Sequence, residues 1–555
     1  VRNLFQTCLM GLAVTSLFLS PAKPVTAQSA GEPAVVVSLA NITNQLGDIR
    51  YLMEAAGQGG MYGFLVEPQA NNYLKGIDRS KALGALLYFG DDSPEPKWLA
   101  LIPVSNLDEL LDTIDQAGIE INESGSDVEL IGPDGSPIFL RKSAGYVAVS
   151  DDKEMLDQTP ANPAEALGAV SPDVNFGAKL FVQRIPEALR EMAISAIEDG
   201  YMNQMDQMGD EGMADLQRQN FEMQMEKIRS LVNESEELVL GMNIDEAAKT
   251  MHFDMQMIGQ DGSELARQSN MYDSADPTRF GGFLDKDAAI TMNMSGKVEG
   301  SDAEQFNKMM DQMRDLANKS MDDDNVSGPQ REMANRILED VIAVVKQTVE
   351  EGTMDMGAMA AVDADNANIV AGLLVADPAR LEKSVKEIVS VAQSQLAGKA
   401  QFNMDMGTHD GVRLHEVVVD VSDEEDATKL LGSDKARIYV GIGDRAIYVA
   451  AGNDPLDTLK SAISNSSTAP ADAVPMQYNM RLAPILAKAA QMQGEDMPRQ
   501  MAEKLAANGR DRIRFVMTTV ENGLDMRFEI EDGLLELIGM AAQMGQGMMG
   551  GGADF

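Results

Sequence analysis

Cysteine is almost absent from this 555-residue chain, with Cys8 the single example. One thiol makes no intrachain disulfide and no cysteine metal cluster. Histidine is nearly as scarce, and His252, His409 and His415 are all there are. Imidazole catalysis and His-rich metal centres therefore have few residues to draw on. Aromatic residues make up 5%, and Trp98 is the sole tryptophan. Stacking platforms for bases or sugars are correspondingly thin. Basic residues are outnumbered, 45 Lys and Arg against 88 Asp and Glu, for a net charge of −43. Such a surface repels nucleic acid and anionic lipid headgroups.

Recognisable catalytic motifs are missing as well. There is no G-x-S-x-G, no P-loop and no G-x-G-x-x-G opening a helix after a strand. His415-Glu416 does not extend to H-E-x-x-H, because Val419 stands where the second histidine belongs. Paired carboxylates are uninformative among so many acids. The residues call for no cofactor, and the expectation is a protein that is not an enzyme.

What is present begins at the N-terminus. Arg2 precedes a short apolar run, "LMGLAVTSLFL" (Leu9–Leu19), and "VTA" places small residues before Gln28. That pattern predicts a secretory signal peptide over 1–27, too short to span a membrane, and a periplasmic or extracellular protein. Removing it takes Cys8, Arg2 and Lys23, so −43 becomes −45. After residue 27 no apolar run reaches the length of about 18 residues that a spanning helix needs. Methionine is abundant, at 39 residues.

The chain then states one pattern twice. "GYVAVSDDKEML" (145–156) is a strand, a polar turn and a helix start, and "AIYVAAGNDPLDTL" (446–459) is the same. "LIPVSNLDELL" aligns with "LVADPARLEKSV", and "TMHFDM" with "DMRFEI", in the same order. The expectation is an α+β fold of two similar lobes, 30–268 and 280–545, followed by a flexible Gly-rich tail, 546–555. Hairpin signals at Asp410-Gly411, Gly443-Asp444 and Asn522-Gly523 predict mainly antiparallel sheets, each with helices packed on one face.

The signal peptide, the acidic Met-rich body and the repeated strand–turn–helix after "YVAVS" and "YVAAG" resemble large uncharacterised exported proteins of planctomycete-type bacteria. The resemblance implies a duplicated α+β domain and an export address, and it carries over no catalytic residue.

Metal candidates are few. Asp323, Asn325 and Ser327 occupy positions 1, 3 and 5 of a calcium-type loop with Gly328 at 6, but Ala334 replaces the bidentate glutamate at 12. His409 and His415 sit on opposite arms of one predicted hairpin, where two imidazoles could share a metal. His252, alternating with Met251, Phe253 and Met255, reads as a solvent-side strand residue. Met202, Met205 and Met208, then Met354, Met356 and Met359, then Met404 with Met406 form clusters that suit Cu(I) or, as adaptable filler, a core. The favoured reading is an exported, non-enzymatic binding or structural protein of the cell envelope with a protein partner. Its alternative is a carrier of an apolar, lipid-like ligand between sheet and helices. Behind these stand copper binding and an unrecognised hydrolase.

Overall fold

A computed structural model of the chain describes residues 31–537, apart from 207–220, 315–327 and scattered stretches of one to five residues. The expected leader (1–27), the calcium-type loop residues Asp323, Asn325 and Ser327, and the 546–555 tail lie outside the described residues. The fold is mixed α and β with extensive antiparallel sheet, and the chain divides into two compact units, Val1–Ala266 and Arg267–Phe555.

The first unit contains β1 (Val35–Leu39), β2 (Leu83–Gly90), β3 (Ser93–Pro103), β4 (Glu120–Ser124), β5 (Asp127–Ile131), β6 (Pro137–Ser143), β7 (Tyr146–Ser150), β8 (Phe176–Phe181), β9 (Ser235–Asp245) and β10 (Thr250–Gly259). They pair antiparallel in the order β4-β5-β6-β7-β3-β2-β1-β8-β9-β10.

The second unit contains β11 (Ile290–Lys297), β12 (Thr353–Val362), β13 (Ala367–Leu374), β14 (Ala400–His409), β15 (Val412–Asp420), β16 (Lys435–Ile442), β17 (Ala446–Gly452), β18 (Met476–Arg481), β19 (Arg512–Val520) and β20 (Gly523–Glu531). Their order is β14-β15-β16-β17-β13-β12-β11-β18-β19-β20, again antiparallel throughout. Asp410 and Gly411 turn β14 into β15 with φ of 46° and 83°, the left-handed pair that a two-residue hairpin favours. The β19–β20 turn falls one residue earlier than its sequence signal. Val520 pairs with Gly523, and Asn522 takes the positive φ of 57°.

Helices pack on both faces of each sheet, which corrects the one-face expectation. The reason lies in strand alternation, since successive side chains point to opposite faces. In β7, Tyr146 and Ala148 join a core closed by Met155, Leu156 and Leu167. Their neighbours Val147 and Val149 point the other way, against α1 (Leu107–Gln116) through Leu110 and Leu111. The helix forms there because Asn106 caps it, accepting from Asp108 N at 3.1 Å, and because Leu107, Leu110, Leu111 and Ile114 share one face. β17 repeats the division. Tyr448 and Ala450 meet Leu459, Ala462 and Ile463 of α4 (Leu456–Thr468). Ile447 instead meets Val344 of α2 (Gly328–Glu350) and Leu381 of α3 (Pro378–Gln395).

The α4-side core of the second unit centres on three rings. Phe280 lies 5.6 Å from Phe283 and 5.9 Å from Tyr448, both edge-on, while Phe283 stacks on Tyr448 at 6.4 Å. The cross-strand pair Gly357 and Gly372 makes the floor beneath them. A Cβ on Gly357 would lie 2.5 Å from the Phe280 Cβ. Gly357→Ala is therefore expected to cost about 1–3 kcal/mol by overpacking. Tyr448→Ala should cost about 3–5 kcal/mol, as for other buried aromatic deletions. Urea midpoints of the two variants check both figures.

Candidate functional site

The face of each sheet opposite the aromatic or Leu167 core carries unbroken apolar rows. In the first unit one row runs Trp98–Leu87–Val35–Leu180–Leu238–Met257 across six neighbouring strands. The next runs Ala100–Ala85–Val37–Ala178–Leu240–Met255. A third contains Leu83, Leu39, Phe176, Met242 and Phe253. Apart from Ala85, these side chains are not fully buried, and Phe253 is 42% exposed. In the same strands Val36, Leu86, Tyr88 and Val239 point to the other face and are buried.

The second unit has the same arrangement with more methionine. Leu373–Met356–Met294–Met476–Met517–Met526 form one row. Ala371–Ala358–Met292–Tyr478–Phe515–Phe528 form the second, and Ile369–Ala360–Ile290–Met480–Ile513–Ile530 the third. None of the eighteen is fully buried, while Ile369 is 59% and Phe528 40% exposed. Leu240, Phe253, Ile369 and Phe528 are the exposed members of the rows, and the rest, Ala85 apart, are half-buried. A smaller exposed patch, Met61, Phe64 and Leu65, lies on one helical stretch of the first unit.

Of the methionine clusters read from the sequence, the one at Met354, Met356 and Met359 is divided by strand alternation, while Met208 lies outside the described residues. Met356 joins the open row, whereas Met359 points into the opposite core. The thioethers brought side by side are instead those of Met356, Met294, Met476, Met517 and Met526, which only strand pairing reveals.

The charged site nearest this face is built around His415. The second row continues past Ala371 through Val449 and Val440 to His415, under α3. His415 is 1% exposed. β14 opposes it with a bulge, since Asn403 pairs with Glu416 and Gly407 with Leu414, leaving 404–406 unpaired. Asp405 in that bulge has a left-handed φ of 54°, a strained setting for a non-glycine residue. Its N–H donates to His415 Nδ1 at 3.1 Å. The neutral ring must then carry its proton on Nε2, which lies 3.5 Å from Glu382 Oε1 without forming a hydrogen bond.

Burial lowers the His415 pKa, against the opposing pull of Asp405 and Glu382. Burial also pushes the Glu382 carboxyl up, but Lys386 at 2.8 Å and Arg413 outweigh it and hold it below the usual range. Glu382, Asp405 and His415 bring ligand-type atoms within 4.8 Å of one another. Two features argue against a metal there. The Nδ1 lone pair is already engaged by a backbone donor, and Lys386 and Arg413 already neutralise the carboxylates. Lys386, Glu382, Lys383, Glu387 and Ser390 line a cavity of about 460 Å³ beside the cluster.

His409 and His415 do not come together, which corrects the two-histidine expectation. His409 turns to α4, with Nε2 at 3.1 Å from the Lys460 carbonyl and 2.9 Å from Ser464 Oγ, while His415 turns to α3. Ser464 Oγ donates to Asp410 at 2.6 Å. The hydroxyl proton is thereby taken, and His409 Nε2 must be the donor toward two oxygens. The trio is a staple between turn and helix, lacking the free imidazole base of a hydrolase. His252 is buried rather than solvent-side, with Nε2 at 3.3 Å from Asp254 Oδ2, and its neighbour Phe253 is the exposed one. The closed face of this sheet is the one that carries His252.

A second polar cavity, about 430 Å³, lies in the first unit among Asn44, Asp48, Asn175, Asn243, Asp245 and Glu246. Burial raises the Asp48 pKa, against the hydrogen bond from Asn175 at 2.8 Å, with Glu246 adding to the rise. A carboxyl raised on folding weakens the fold as pH climbs from its unfolded value through its folded one. Asp48→Asn is therefore expected to raise the melting temperature at neutral pH and to leave it nearly unchanged at about pH 3. Thermal melts at the two pH values check this.

No family model, curated protein or solved structure matches the chain. Among the described residues no helix is long and apolar enough to cross a membrane. If the rows are a surface for a partner and not a part of the core, Phe528→Ser should cost no more than about 0.5 kcal/mol, the range of surface changes. Chemical unfolding of that variant, beside Tyr448→Ala, makes the comparison.

Proposed function

We propose that the chain is an exported, non-enzymatic binding protein of the cell envelope, built from two copies of one α+β module. Each copy would offer the open apolar rows of its sheet to a partner protein. The observation that carries this reading is the recurrence of three adjacent apolar rows, partly open, on the same face of both sheets. Duplication is supported by the strand orders, in which β11 to β20 pair in the sequence that β1 to β10 do. Tyr146 and Tyr448 both point into the closed core of their unit, two register positions apart. Export rests on the N-terminal residues 1–27 alone.

The carrier of an apolar ligand is the second reading. The Met and Leu lining of the rows favours it, because such side chains adapt to a flexible chain. The ligand would then lie on the open rows, since the closed cores are filled by Leu156 and Leu167 or by Phe280, Phe283 and Leu459.

Photo-methionine incorporated in place of methionine tests both readings, because the partner would lie against Met294, Met476, Met517 and Met526. After irradiation in cells, protein adducts at those positions support the binding protein, and lipid adducts there support the carrier. Adducts confined to methionines away from the rows would sink both.

A further inference from the structure

The bulge of β14 and the buried imidazole behind it form a unit whose hydrogen bonding depends on a single proton. The geometry points to an acid-triggered switch in the second unit, in which protonation of His415 reorganises the β14 bulge around Asp405. With the ring neutral, Nδ1 accepts from the Asp405 N–H at 3.1 Å. An imidazolium has two donors and no acceptor. Once Nδ1 carries a proton it faces another N–H, and that contact can no longer hold the bulge.

A replacement partner is already in reach. Asp405 Oδ1 lies 3.8 Å from Nδ1, and Glu382 Oε1 lies 3.5 Å from Nε2. Turning the Asp405 peptide and side chain would exchange an N–H···N bond for an N–H···O bond within the same residue. The backbone most easily turned is at hand, because Asp405 sits at φ 54° and Gly407 at φ 142°.

The charges around the ring fix when this happens. Asp405 from β14 and Glu382 from α3 favour the imidazolium, while Lys386 from α3 and Arg413 from β15 oppose it. Lys386 also reaches Asp405 at 3.5 Å, so the bulge in its closed form is tied to α3. The fourth side, Val440 of β16, is apolar. Burial keeps the closed ring neutral below its ordinary pKa of 6.5. Opening the bulge restores that ordinary value, so opening takes up a proton in the interval between the two. The first unit has no counterpart, because its strands place Val128 and Leu140 where the second has His415 and Val440.

The test labels the three histidines of the whole chain with ¹⁵N and follows their ring nitrogens with pH, assigning His415 by its loss in His415→Gln. Amide exchange of 403–407, corrected for its intrinsic pH dependence, is read by mass spectrometry alongside β17 as an internal control. The expected result is a neutral His415 with the proton on Nε2. Below about pH 6.5, exchange at 403–407 should then quicken up to about tenfold per pH unit while β17 stays protected. His415→Gln should flatten that dependence, and if that variant does not fold, the wild-type titration decides alone. A proton on Nδ1 at neutral pH, flat exchange while the ring titrates, or β17 opening together with the bulge would each overturn the proposal.

Discussion

Everything in this protein depends on the two-residue period of the extended chain. A strand with apolar side chains at both parities makes a sheet with two faces to bury, and the central strands of both units are of that kind. One face is closed by short pieces of chain that the sheet itself accommodates. Gly357 and Gly372 give up their side chains so that Phe280 and Phe283 can reach the backbone. Gly177 and Gly241 do the same for Val170 and Val174. Helices α1, α2 and α3 cover part of the other face, and Tyr272 lies against it at Gly296. The open rows are the remainder, and the functional proposal follows from what is left uncovered.

Much of this was written in the sequence, for identifiable reasons. "GYVAVS" and "AIYVAAG" are strands with Tyr146 and Tyr448 both buried, because the two stretches repeat both composition and flanking turns, although Tyr146 faces Pro103 and Tyr448 faces Gly372, two register positions apart. The alternation of Ile513, Phe515 and Met517 against Arg514 was legible too, and it places those three in the open rows. What alternation does not encode is which face another segment will cover. By alternation alone His252 reads as solvent-facing and its apolar neighbours as the inward set, yet those neighbours line the open face and His252 is buried.

Residues separated by long stretches of chain were the least legible. The methionine row joins positions 294, 356, 476, 517 and 526 through four strand pairings that no local pattern announces. The Glu382–Asp405–His415 cluster likewise needs a helix, a bulge and a strand to arrive together. Among the three histidines, proton accounting separated the roles better than proximity did. His409 spends its Nε2 proton on two oxygens of α4, while His415 keeps one aimed at a carboxylate that does not bond it. The net charge of −43 adds a further constraint, since like-charged copies repel, and that sets a cost on covering the rows by self-association.

The position of the bulge has one more consequence. β14 ends its sheet, pairing only with β15, and a terminal strand of ten residues would otherwise present an even ladder of free amide and carbonyl groups. Such a ladder is a template on which another chain can grow a fibril. Three residues out of register and a charged Asp405 at their centre break it in the middle. The opposite device serves the first unit, whose terminal β4 is only five residues long and carries Glu120 and Glu123. A protein that keeps wide apolar faces open has particular need of edges that refuse to zip.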